Sequence, residues 1–150
     1  LHIDPDRIVV SGFSAGGHVS LCTVMLDGFD DPSDDLSVSP AANALMLWVT
    51  PPEVGDWMNA HLDGRANVKE IDPVNHVRPG LPPMVFFQGT ADRTVPVEHV
   101  IRFVKQMKAA GNRCDLHLYD GQEHLGWGKN EQDVLKKMGA FLQSINMSYR

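Results

Sequence analysis

Cysteine is scarce: Cys22 and Cys114 are the two in 150 residues, far apart and in neither a metal-binding nor a redox spacing. They read as small buried hydrophobes. No His-x-x-x-His or paired-cysteine spacing occurs, and Glu123 and His124 are neighbours facing different ways, so no metal site is expected. No apolar run approaches the roughly 18 to 20 residues that cross a bilayer, and no charged leader with an apolar stretch precedes residue 10. Basic charge is also lacking. Lys and Arg number 13 against 19 Asp and Glu, a net of 13 − 19 = −6, without long runs of one sign. Nothing in that balance recruits nucleic acid or an anionic membrane. There is no internal repeat and no low-complexity segment.

What is present is a chain of single-domain length with 43% hydrophobic residues, enough for one sizeable core. Apolar runs of strand length alternate with segments of helical period, the pattern of βα units around a mainly parallel sheet. Arg7 to Ser11 reads as a buried strand ending at Gly12. A helix is expected just after Ser14, with Val19, Cys22 and Leu26 on one face and Gly28 near its end. Residues 29–40 form a surface connection, and Ala44 to Thr50 a second strand closed by Pro51-Pro52.

Residues 53–83 are the least readable; Trp57, Met58 and Leu62 hint at a short amphipathic helix before Pro73, Pro79, Pro82 and Pro83. Met84 to Phe87 is a third strand, with Gly89-Thr90-Ala91-Asp92 turning out of its end. Pro96 suits the first turn of a helix burying Val100, Phe103 or Val104, and Met107 before Gly111 stops it. Leu116 to Tyr119 is a fourth strand, and a last helix runs from an Asn130 N-cap with Val134, Met138, Phe141 and Ile145 inward. The fold class expected is α/β: three layers, α/β/α, about four strands.

Strand, then Gly12-Phe13-Ser14-Ala15-Gly16, then helix is a G-x-S-x-G nucleophile elbow in context. A serine forced into so tight a turn brings its flanks into close contact, so both Gly12 and Gly16 favour residues without Cβ. The turn also sets the hydroxyl at a helix N-terminus, where the Ala15 N–H can stabilise an oxyanion.

Three segments resemble the α/β-hydrolase superfamily, in particular its esterase and carbohydrate-esterase-like branch with a G-x-S-A-G-G elbow: Asp4-Pro5-Asp6-Arg7-Ile8-Val9-Val10-Ser11-Gly12-Phe13-Ser14-Ala15-Gly16-Gly17-His18, Pro82-Pro83-Met84-Val85-Phe86-Phe87-Gln88-Gly89-Thr90-Ala91-Asp92, and Tyr119-Asp120-Gly121-Gln122-Glu123-His124. The resemblance implies Asp92 as acid and His124 as base, in the chain order Ser, Asp, His. Ser14 would lose its proton to His124 as it attacks an acyl carbon, and Asp92 would fix the imidazole tautomer.

Other readings stand beside these. Asp120 or Asp72 could be the acid. His18 packs or caps locally, and His2, His61, His76, His99 and His117 belong to no constellation. Trp57 and Trp127 line an acyl or sugar pocket or simply pack in the core.

Residue 1 is Leu and opens at once into Asp4-Pro5-Asp6-Arg7, so residues 1–150 are expected to be the C-terminal portion of a single α/β-hydrolase domain, the N-terminal strands and second oxyanion loop lying upstream. Losing one such donor costs about a hundred- to a thousandfold in turnover, so weak catalysis at best is expected of these residues alone. The first strand would then present an unpaired apolar edge. The function implied is a serine hydrolase of carboxylic esters, acting on small molecules or on acyl groups of carbohydrate through an acyl-enzyme on Ser14, with no cofactor. A prolyl-oligopeptidase-type peptidase and a noncatalytic interaction module are the alternatives. Acyl length, oligomeric state and compartment have no signature in these residues.

Overall fold

The computed structural model describes residues 3–55 and 67–147; Trp57, Met58, Leu62, His2 and His61 lie outside them. In chain order the elements are a 3₁₀ turn (Pro5–Arg7), β1 (Val9–Phe13), α1 (Ala15–Met25), β2 (Ala44–Trp48), a short α2 (Val68–Ile71), a second 3₁₀ turn (Pro73–His76), β3 (Met84–Gly89), α3 (Val97–Ala109), β4 (Cys114–Tyr119), a third 3₁₀ turn (Trp127–Asn130) and α4 (Glu131–Ser144). The strands lie in the order β1-β2-β3-β4, every pair parallel.

Period-two alternation in the strands sorts the core into two layers. Leu45, Leu47, Met84, Phe86 and Cys114 face Leu21, Val24 and Met25 of α1 and Val100, Phe103 and Met107 of α3. Ala44, Met46, Val85, Phe87 and Tyr119 face Val134 and Phe141 of α4. Strand order advances in one direction, so right-handed crossovers put α1 and α3 on the same face, and α4 returns across the other. This is the three-layer α/β/α arrangement read from the sequence. β2 and β3 are buried on both sides, while β1 is an edge strand among the described residues, with Phe13 42% exposed.

Several boundaries differ from expectation. β1 begins at Val9, because Pro5–Arg7 closes a 3₁₀ turn in which the Asp4 side chain accepts from Asp6 N, and it runs through Gly12 to Phe13. β2 stops at Trp48, since Val49 adopts φ 41°, a left-handed conformation unusual for a β-branched residue. In α1 the buried stripe is Gly17, Ser20, Leu21, Val24 and Met25, and Val19 is 60% exposed. The small residues Gly17 and Ser20 let the helix approach the sheet closely, which turns Val19 outward. Asn130 does not cap α4 with its side chain; its amide donates to Gln122 Oε1 at 2.9 Å instead.

Candidate active site

β1 runs straight into α1 through Ser14, whose φ of 53° and ψ of −122° lie where residues bearing a Cβ are strained. The Ser14 N–H donates to Trp48 O at 2.9 Å, tying this turn to the end of β2. A β-carbon on Gly12 would lie 2.4 Å from Gly17 N, so glycine alone lets the strand end meet the first turn of α1. Gly16 needs a correction: a β-carbon there meets nothing within 4 Å among the described residues. The second steric demand falls on Gly17, where it would lie 1.9 Å from Thr50 Oγ1.

Asp92 follows β3, and its side chain is fully buried. Oδ1 accepts from Thr94 N at 2.8 Å and Val95 N at 2.9 Å. Oδ2 accepts from Gln88 Nε2 at 3.2 Å and from His124 Nδ1 at 2.8 Å. Four donors on two oxygens are what allow a carboxylate so far from water.

His124 sits in the loop after β4, and its side chain is 17% exposed. Three consecutive carbonyls hold that loop. The Gln122 amide donates to Glu123 O at 2.8 Å and to Leu125 O at 2.7 Å, and Trp127 Nε1 donates to His124 O at 3.1 Å. The acid loop is stitched to it by Ala91 N to Gln122 O at 3.1 Å and Gly121 N to Thr90 Oγ1 at 2.9 Å.

These supports bring His124 Nε2 to 2.9 Å from Ser14 Oγ. An ionised carboxylate can only accept, so Nδ1 carries the imidazole proton toward Asp92 and Nε2 keeps a lone pair toward the serine hydroxyl. Phe13 meets the imidazole edge-on at 5.5 Å between ring centres. Ala15 N–H, the first of α1, has no backbone acceptor among the described residues.

The other candidates are engaged elsewhere. Asp120 is exposed and accepts from Thr90 Oγ1 at 3.2 Å; Asp72 is buried and accepts from Val54 N at 2.6 Å. His18 Nδ1 donates to Pro51 O at 3.0 Å, a contact 33 residues away in sequence rather than the local one expected. Trp127, besides bracing His124, packs edge-on against Tyr119. Burial pushes the Cys22 thiol up to about 11 and the Cys114 thiol up to about 12. Among the described residues no cluster of His, Cys, Asp and Glu could hold a metal ion. A cavity of about 590 Å³, lined by Pro51, Glu53, Thr94, His99 and Arg102 among others, takes in none of Ser14, Asp92 and His124. The bracing residues Gln88, Gln122 and Trp127 were not singled out from sequence for this task; the signal available was an amide at the end of an otherwise apolar strand and another in a glycine-rich loop.

Comparison with known proteins adds the family context. The profile of the prolyl oligopeptidase family matches residues 1–147. The chain is 38% identical to the esterase Est2 of Thermogutta terrifontis in its propionate-bound structure, with a TM-score of 0.88 over 99% of this chain and 59% of that one. It is 28% identical over 159 residues to an acetylxylan esterase of Xylanibacter ruminicola, covering 96% of this chain and 32% of that protein. It is 23% identical over 145 residues to an Arabidopsis thaliana protein named "Probable isoprenylcysteine alpha-carbonyl methylesterase ICMEL1", covering 81% of this chain and 30% of that protein. The chain thus spans about a third of these two curated relatives and 59% of the solved esterase.

Proposed function

We propose that this chain, which belongs to the prolyl oligopeptidase family, hydrolyses carboxylic esters through an acyl-enzyme on Ser14. The observation that carries the reading is the hydrogen-bonded line from Asp92 Oδ2 through His124 to Ser14 Oγ, at 2.8 Å and 2.9 Å. His124 Nε2 takes the hydroxyl proton as Ser14 Oγ bonds to the acyl carbon, and returns it to the leaving alkoxide. Water then attacks the acyl-enzyme with the same base. Asp92 holds the tautomer and stabilises the imidazolium without becoming protonated. The Ala15 N–H serves the oxyanion, helped by the positive end of α1.

Esters are favoured over peptides by the likeness to Est2 and to the two esterase-named relatives. The finer reading, acyl groups on carbohydrate, is supported by the likeness to the acetylxylan esterase. The second reading, a serine peptidase, is supported by the name of the matching family.

Wild type and Ser14→Ala are to be compared on p-nitrophenyl acetate, acetylated xylo-oligosaccharide and a prolyl p-nitroanilide, beside fluorophosphonate labelling. Ser14-dependent labelling with ester turnover exceeding anilide turnover is expected. A wild type that takes up no fluorophosphonate sinks the mechanism, and faster anilide cleavage moves the assignment to the peptidase.

A further inference from the structure

Gln88 is the one polar residue in the fully buried strand β3 apart from its terminal glycine, and it is 0% exposed. Its amino nitrogen lies 3.2 Å from Asp92 Oδ2, 3.0 Å from Val95 O and 3.4 Å from Gly89 O. All three are acceptors, which fixes which end of the amide faces them, because the reversed amide would set its oxygen against a carboxylate. The carbonyl oxygen of the same amide is buried without a hydrogen-bond partner among the described residues.

That orphan is informative. A buried acceptor left unmet works against folding, so the amide is kept for what its amino end meets, Val95 O and Asp92 Oδ2. Thr94 N and Val95 N hold Asp92 Oδ1. What Gln88 adds is a second donor on Oδ2, the oxygen that also receives His124 Nδ1–H. A second donor draws negative charge off that oxygen and weakens its pull on the imidazolium.

We infer that Gln88 is a positioning residue that tempers Asp92, setting how strongly Oδ2 holds His124 Nδ1–H. This rests on the hydrolase reading of the site. Gln88→Met removes the donor at nearly constant volume, and Gln88→Leu is a second variant with no added bulk.

Two measurements decide it, beside the thermal midpoint: the pH profile of fluorophosphonate labelling at Ser14, and the low-field proton resonance of His124 Nδ1–H. Expected are a resonance moved further downfield and a midpoint lowered by the loss of the donor on Val95 O. Labelling should slow on the acidic limb and match wild type at alkaline pH. A purely structural role predicts instead labelling reduced equally at every pH with the resonance unmoved, and that result overturns the inference. A wild type that never labels defeats the hydrolase reading separately, and the resonance still judges Gln88.

Discussion

A β-carbon on Gly89 would lie 2.1 Å from the backbone oxygen of Gln122. The close approach of these two residues lets the loop bearing Asp92 and the loop bearing His124 dock against each other. A backbone carbonyl cannot swing aside as a flexible side chain can, so Gly89→Ala must push the loops apart. Displacement of about 1 Å costs roughly a hundredfold in such a site. Fluorophosphonate labelling of Gly89→Ala is expected to slow by about that factor, and labelling at the wild-type rate would contradict the steric argument.

Asp92→Asn tests the tautomer. Thr94 N and Val95 N require an acceptor at the Oδ1 position, so the asparagine amino group is forced toward His124 Nδ1, the proton moves to Nε2, and Ser14 loses its base. A loss of about 10⁴ in turnover with the fold retained is expected, as for the same change in a comparable triad. Asp120→Asn, on an exposed carboxylate bonded to Thr90, should stay within a few-fold of wild type. Reversal of that order would make Asp120 the acid.

Adjacent glycines in α1 should respond with opposite signs. Gly16→Ala meets open space and gains helix propensity of about 0.5 to 1 kcal/mol. Gly17→Ala drives a methyl into Thr50 and should destabilise by about 1 to 3 kcal/mol. Adding Thr50→Ala to Gly17→Ala should recover part of the loss. Calorimetric midpoints check all three variants.

The thiols carry a pH prediction. Burial first, then Asp72 nearby, raises the Cys22 thiol from its ordinary 9.0 to about 11, and burial raises Cys114 to about 12. The folded state therefore keeps protons that the unfolded state releases. Stability from these groups is intact below pH 9 and declines as the pH climbs above it. Iodoacetamide at pH 8.5 should alkylate the native protein slowly and the urea-unfolded chain quickly, and replacing Cys114 by Ala should flatten the stability loss between pH 9 and 10. Equal alkylation rates in both states would refute this.

Legibility from sequence followed physical range. The strands with alternating or continuous apolar runs, such as Met84 to Phe87, were readable because burial on both faces leaves a compositional trace. The strand-to-helix turn at Ser14 is readable because strand, glycine-flanked serine and helix are contiguous. The buried face of α1 was not: its apolar residues ring the helix, and the choice between Val19 and Gly17–Ser20 depended on Thr50, more than 30 residues away. The resemblance points to Asp92 as the acid, while the residues alone leave Asp120 and Asp72 beside it for the same reason, since each lies next to the end of an element. For Trp127 the sequence offers pocket or core, and its indole N–H on His124 O belongs to neither.

From the sequence alone came the α/β layering and the strand-to-helix turn at Ser14, because periodicity and local turn chemistry act over a few residues. Which carboxylate meets His124, why Gly89 and Gly17 carry no side chain, and how Gln88 and Gln122 hold the line of hydrogen bonds were decided by tertiary structure. Those contacts join β3, β4 and the loops beyond them, and only parallel pairing brings segments so distant in sequence to one rim of the sheet.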